Sequence, residues 1–139
     1  MLSVNSYPRT YVDACRAKID AQITAYRDVL SAGSGKRSDT AIATFEPMFC
    51  NNMVMVLDNY FLHRSRAMEL KDGNPLNEVR VLCNSMRDND GEMAADTQIK
   101  LDPATSILGY AVGDQIALSL EDFQRLSKAF FTEIEAKYP

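Results

Sequence analysis

Apolar residues recur at three- and four-residue steps along four stretches of this chain, the spacing of helices that each bury one face. Counted from Phe49 at about 100° per residue, Met53, Val56, Leu57, Tyr60, Phe61 and Met68 share one stripe. Neither glycine nor proline interrupts residues 48–71, and Pro47 suits a first turn, where its missing N–H costs little. A helix is therefore predicted over 45–71. Gly73 is placed to cap it in the left-handed region, and Lys71 suits the negative end of its dipole. Asn74 as N-cap and Pro75 at the first helical position open a second helix over 75–87, with Leu76, Val79, Leu82, Cys83 and Met86 on its apolar face. So short a turn makes the two helices antiparallel neighbours.

Two further helices flank this hairpin. Val12, Cys15, Ile19, Ile23, Tyr26 and Leu30 predict a helix over 10–32, opened by a capping-box-like Thr10/Asp13 pair and closed by Gly33. Leu120, Phe123, Leu126, Phe130, Phe131 and Ile134 predict another over 120–137, opened by Ser119 with Asp122. Residues 1–9 read as a loose arm. The segment SAGSGKRSDT, 31–40, reads as a polar connector. It is not a phosphate-binding loop, because Lys36 is followed by Arg37 and Leu30 stands where the first glycine belongs. Residues 88–118 are punctuated by Asp88-Asn89-Asp90-Gly91, Asp102-Pro103, Gly109 and Gly113-Asp114. They predict an irregular excursion with room for a small β-ribbon drawn from Gln98–Leu101, Leu108–Val112 and Gln115–Leu118. The expected architecture is all-α or mainly α, a four-helix bundle-like single domain over 1–139.

Composition narrows the class. A chain of 139 residues suits one domain, and its 46% apolar and 24% charged residues are ordinary for a globular protein. Fifteen Lys and Arg against nineteen Asp and Glu leave a net charge of −4, which argues against sequence-independent nucleic-acid binding. No window approaches 18 uninterrupted apolar residues, so no membrane span is expected. The opening MLSVNSYPRTYVDACR lacks a basic start and a continuous apolar core, so it does not read as a signal peptide. Cys15, Cys50 and Cys83 are odd in number and widely spaced, which fits inert, reduced thiols in a cytoplasmic protein. The methionines between Met48 and Met68 read as core filler.

Candidate chemistry gathers beside the hairpin. Arg64 falls inside the apolar stripe, one turn beyond Tyr60 and Phe61. An arginine there must snorkel, pair with a carboxylate or meet a ligand. Asn52, Asn59, His63 and Arg66 form a polar flank on the first helix, and Asn77, Arg80, Asn84 and Arg87 form one on the second. Reflection about Gly73 brings Arg66 and Arg80 to similar levels, with Glu78 as the expected counter-ion. His63, Arg64, Arg66, Asn77 and Arg80 are thus the candidate site for a small anion, since guanidinium forks bind carboxylates and phosphates bidentately. Asn74 and the free N–H groups opening the second helix would add donors. The plainer alternative, which we favour, is a structural network of these arginines with Glu78, Glu69 or backbone carbonyls, and a boundary histidine bonded to backbone or Asn59.

His63 is the sole histidine, and Tyr60 rather than a glutamate stands three residues before it, so no di-iron motif is present. The Asp88–Glu92 cluster fails the spacing of a calcium loop. No metal site and no cofactor are expected. The first functional reading is a helical protein acting by binding or self-assembly, as a homodimer. The alternatives are an anionic-ligand-binding protein or enzyme built on the arginine cluster, and an adaptor that recognises a partner through residues 88–118.

Overall fold

The computed structural model describes residues 3–33 and 35–139. Its order is α1 (Arg9–Ala32), α2 (Lys36–Tyr60), α3 (Arg66–Glu69), α4 (Pro75–Asp88) and α5 (Leu120–Lys137). The fold is all-α. Helix α2 lies centrally against α1, α4 and α5, and α5 also packs on α1 and α4. The predicted stripes supply most of the core from α1, α4 and α5, whereas on α2 the buried face is shifted: Cys50 and Val54, outside the predicted stripe, are fully buried, and Phe49, Val56 and Tyr60 are only partly so. Val12, Cys15, Ile19, Ile23 and Tyr26 come from α1, Met53 and Leu57 from α2, Leu76, Val79, Leu82 and Cys83 from α4, and Phe123, Leu126, Phe130, Phe131 and Ile134 from α5. Asn74 caps α4 by accepting from the N–H of Leu76 at 2.9 Å, and Ser119 with Asp122 closes a capping box on α5.

Three boundaries differ from those the sequence predicts. Helix α2 starts at Lys36 rather than Phe45, which places Pro47 inside the helix and shrinks the connector to residues 33–35, of which Ser34 lies outside the described residues. Residues 36–46 contain no helix breaker, and Asp39 in the first turn suits the positive end of the dipole. Helix α2 stops at Tyr60, and the helix predicted to reach 71 continues only as the single turn α3. The break at 61–65 turns Arg64 back toward the core. It also exposes backbone that the N-terminal arm uses, for Val4 donates to the His63 carbonyl and Ser65 donates to the Val4 carbonyl, both at 2.8 Å. The described part of the arm is therefore bound rather than loose (Met1 and Leu2 lie outside the described residues). Tyr7 packs edge-on against Phe61, with ring centroids 4.9 Å apart, and donates its N–H to the Tyr138 carbonyl. Third, Thr10 does not cap α1, which begins after Pro8 without a side-chain cap. Asp13 instead pairs with Arg9 and Arg16.

The excursion at 88–118 forms no strand among the described residues. Its nearest approach to a ribbon is one antiparallel bridge between Glu92 and Gln115. Backbone bonds tie its two ends together, for Met93 donates to the Asp114 carbonyl and Gly113 and Ile116 donate to the carbonyls of Met93 and Gly91, all at 2.8 Å, and side chains from the helices fix it to the bundle. Asn51 of α2 donates to the Ile116 carbonyl at 2.9 Å and accepts from the Leu118 N–H at 3.1 Å. Glu78 of α4, 2% exposed, accepts from the N–H groups of Ile107 and Leu108 at 2.8 and 2.9 Å. Gly73, at φ +89°, lies so close to the Lys100 carbonyl that a side chain there would collide with it.

Glu78 is buried and bonded only to uncharged donors, so Glu78→Gln should cost about 1–3 kcal/mol by losing one acceptor against two backbone donors. Amide exchange at Ile107 and Leu108 should accelerate together. Unchanged protection there would show that the excursion is held by other contacts.

Candidate functional site

The polar residues near the hairpin converge on Glu69, which α3 places at 0% exposure. Each of its carboxylate oxygens accepts two hydrogen bonds. Oε1 receives Arg64 Nε at 2.8 Å and Arg80 Nη2 at 2.6 Å, and Oε2 receives Asn77 Nδ2 at 2.9 Å and Arg80 Nε at 3.0 Å. Arg80 thus grips the carboxylate bidentately, and four donors fill the acceptor capacity of the group.

Arg64 is equally occupied. Besides Glu69, its guanidinium donates to Asp58 Oδ1 at 2.9 Å and to the carbonyls of Phe61 and Leu76 at 3.1 and 3.3 Å. It also lies 5.4 Å from the centroid of the Phe130 ring. Its side chain has no exposed surface. Two guanidinium and two carboxylate groups make the cluster neutral, which is what allows it to be buried. Neighbouring groups close the remaining backbone positions: Lys137 Nζ donates to the Glu69 carbonyl and the Tyr138 hydroxyl to the Ser65 carbonyl.

Of the five residues that sequence pattern nominates, the structure brings three together. Arg64, Asn77 and Arg80 share Glu69, whereas His63 and Arg66 lie exposed on the outside of the 61–66 turn. The counter-ion is Glu69 with Asp58, not Glu78, whose carboxylate faces the excursion. Burial alone would raise the Glu69 pKa. The Arg80 hydrogen bond and the charges of Arg64 and Arg80 outweigh it and hold this carboxyl below the usual range. Glu78 moves the opposite way, because burial outweighs the two N–H groups that stabilise its charge.

The thiols offer no nucleophile. All three cysteines are free and buried, and burial pushes Cys83 and Cys50 up to about 12, with the Glu46 and Asp122 charges adding to the effect at Cys50. Among the described residues no group of His, Cys, Asp and Glu is arranged to hold a metal ion, and no helix is long and apolar enough to cross a membrane.

A second feature lies away from the arginine cluster. The first half of α2 extends along an open groove of about 750 Å³, with Lys36 and Arg37 at one end and Thr44, Phe45 and Met48 at the other. Phe45 is 50% and Met48 62% exposed, so Met48 is not core filler. A smaller, more enclosed groove of about 380 Å³ lies further along α2, where Met55, Val56 and Leu62 meet Asp58, Asn59 and Arg87.

Neutralising the hub leaves Arg80 without a carboxylate partner and Arg64 with Asp58 alone, so Glu69→Gln should destabilise by about 3–5 kcal/mol in urea unfolding. Because the folded-state pKa of Glu69 is depressed, its contribution is present above the ordinary glutamate range and is lost as pH falls through the folded value. Glu78, with a raised pKa, favours the fold below its unfolded value and loses that contribution as pH rises through its folded value. Glu69→Gln should therefore flatten the acid limb of the stability curve, and Glu78→Gln should steepen it. Equal slopes in the two variants would contradict the assignment.

Comparison with family models, with curated proteins and with solved structures finds no match to this chain, so the chemistry of its own residues carries the functional reading.

Proposed function

We propose that this is a single-domain helical protein that works by self-assembly, as a homodimer, and has no catalytic centre of its own. The observation that carries the reading is the apolar groove along α2, where Phe45 and Met48 stand more than half or half exposed beside Ala41 and Thr44. Side chains of that size on a helix that already buries its opposite face mark a contact surface. With three buried thiols free of disulfides, we take the protein to act in the cytoplasm.

The competing readings have less support. A ligand anion would have to displace Glu69 or Asp58 from Arg64, whose guanidinium is closed off from solvent and already engaged by four acceptors. An adaptor surface at 88–118 would have to move backbone that Asn51 and Glu78 already hold. Phosphate or simple carboxylates are accordingly expected to leave the melting temperature of the wild-type chain and of Arg64→Met unshifted.

Light scattering across a concentration series tests the assembly. The wild-type chain should pass from monomer to dimer, and Met48→Lys should shift that transition at least tenfold to higher concentration while keeping the helical circular-dichroism spectrum. A wild-type chain that stays monomeric at millimolar concentration, or a Met48→Lys variant that dimerises equally well, would remove the basis of this function.

A further inference from the structure

We infer that the outer face of α2 is a parallel two-stranded coiled-coil seam whose register is set by Asn52 and Asn59, the occupant being α2 of a second copy; this deepens the assembly proposed above and rests on it. The residues Ala41, Phe45, Met48, Asn52, Met55 and Asn59 follow one another at steps of four, three, four, three and four. That is the 3.5-residue repeat of a coiled coil, with Phe45, Asn52 and Asn59 at a positions and Ala41, Met48 and Met55 at d. Cys50 and Leu57, on the opposite side, are fully buried in the bundle. The seam itself faces outward: Ala41, Phe45, Met48, Asn52 and Asn59 are exposed and Met55 is partly so. Leu62, 51% exposed just beyond the helix, extends the same repeat.

Charge and polarity select both the partner and its direction. From Thr40 to Leu57 the chain carries one charged residue, Glu46, and that side chain is turned inward to accept from Tyr26 and from the Leu120 N–H. Between Thr40 and Leu57 a charged partner helix would find nothing to pair with, charge appearing only at the ends of the seam (Lys36 and Arg37 at one, Asp58 and Arg87 at the other), whereas a second copy meets its own residues. In a parallel pair, a faces a and d faces d. Asn52 and Asn59 then each meet their own symmetry mate, donating and accepting one amide bond, and phenylalanine meets phenylalanine and methionine meets methionine. In an antiparallel pair, a faces d, so each asparagine amide would be buried against methionine or alanine without a partner. Asn52 and Asn59 are free to do this, unlike Asn51 and Asn77, whose amides are committed within the fold. The repeat drifts about 20° per heptad from a straight helix, which a left-handed crossing absorbs. The seam from Ala41 to Asn59 covers 19 residues, about 28 Å, and buries on the order of 500 Å² per copy, at the lower limit of stable specific interfaces.

Cysteine cross-linking of the full chain under mild oxidation tests the seam. Asn52→Cys and Asn59→Cys should each form a disulfide-linked homodimer at least tenfold faster than Thr132→Cys on the exposed face of α5, while the wild-type chain, with its cysteines buried, should form none. Mixing Met48→Cys with Asn59→Cys should give less mixed dimer than either homodimer. A dimer by light scattering in which Asn52→Cys does not cross-link, or in which the mixed species dominates, overturns the parallel seam and leaves the assembly standing. A wild-type chain without any dimer overturns the assembly itself.

Discussion

A carboxylate with every lone pair occupied holds this structure together. Glu69 sits on a helix of a single turn, too short to be stable alone, yet it is fully buried. What fixes it there is the convergence of Arg64 from the end of α2 and Asn77 and Arg80 from α4, with Lys137 at the end of α5 bonded to the Glu69 carbonyl. Three other segments are thereby tied to one residue. The geometry explains why α2 breaks at Tyr60: a continuous helix would leave Arg64 pointing into the apolar stripe without its carboxylates. The cost of interrupting the helix is offset by a neutral, fully bonded cluster, and the freed backbone is taken up by Val4.

This closure also bears on function. A guanidinium becomes a binding group when part of its fork faces solvent or a cavity. Here the forks of Arg64 and Arg80 are turned toward the protein's own acids, so this neutral cluster is a strut. The surface left without partners is instead the uncharged side of α2, on the opposite flank from its buried residues.

Much of the fold is legible in the sequence, because four helices announce themselves through one-sided apolar spacing and through caps at Asn74 and Ser119. The additions to that picture are long-range. Lys36–Thr44 lacks strong apolar contrast, so its helical state is decided by continuity with the stretch beyond it rather than by local pattern. The stop at Tyr60 depends on a carboxylate five residues beyond Arg64 and on a β-bridge to Val4, neither of which a helical wheel contains. The same reflection about Gly73 that pairs Arg66 with Arg80 also sets Glu69 level with Asn77, one turn from Arg80. That signal for the hub was present in the sequence, although Glu78 stands nearer the turn and looks the better counter-ion. Exposure at Met48 was hidden for a simpler reason: periodicity shows which residues share a face, and α2 carries apolar residues on both.

Glu78 carries a kinetic consequence. Its carboxylate meets backbone about thirty residues further along the chain, and it can do so only after α4 has docked and the excursion has folded back. Contacts of that sequence separation form late, after local helices. Interactions absent from the transition state act by slowing unfolding rather than by speeding folding. The irregular excursion therefore governs how long the native state lasts once made, while the helices govern how quickly it is reached.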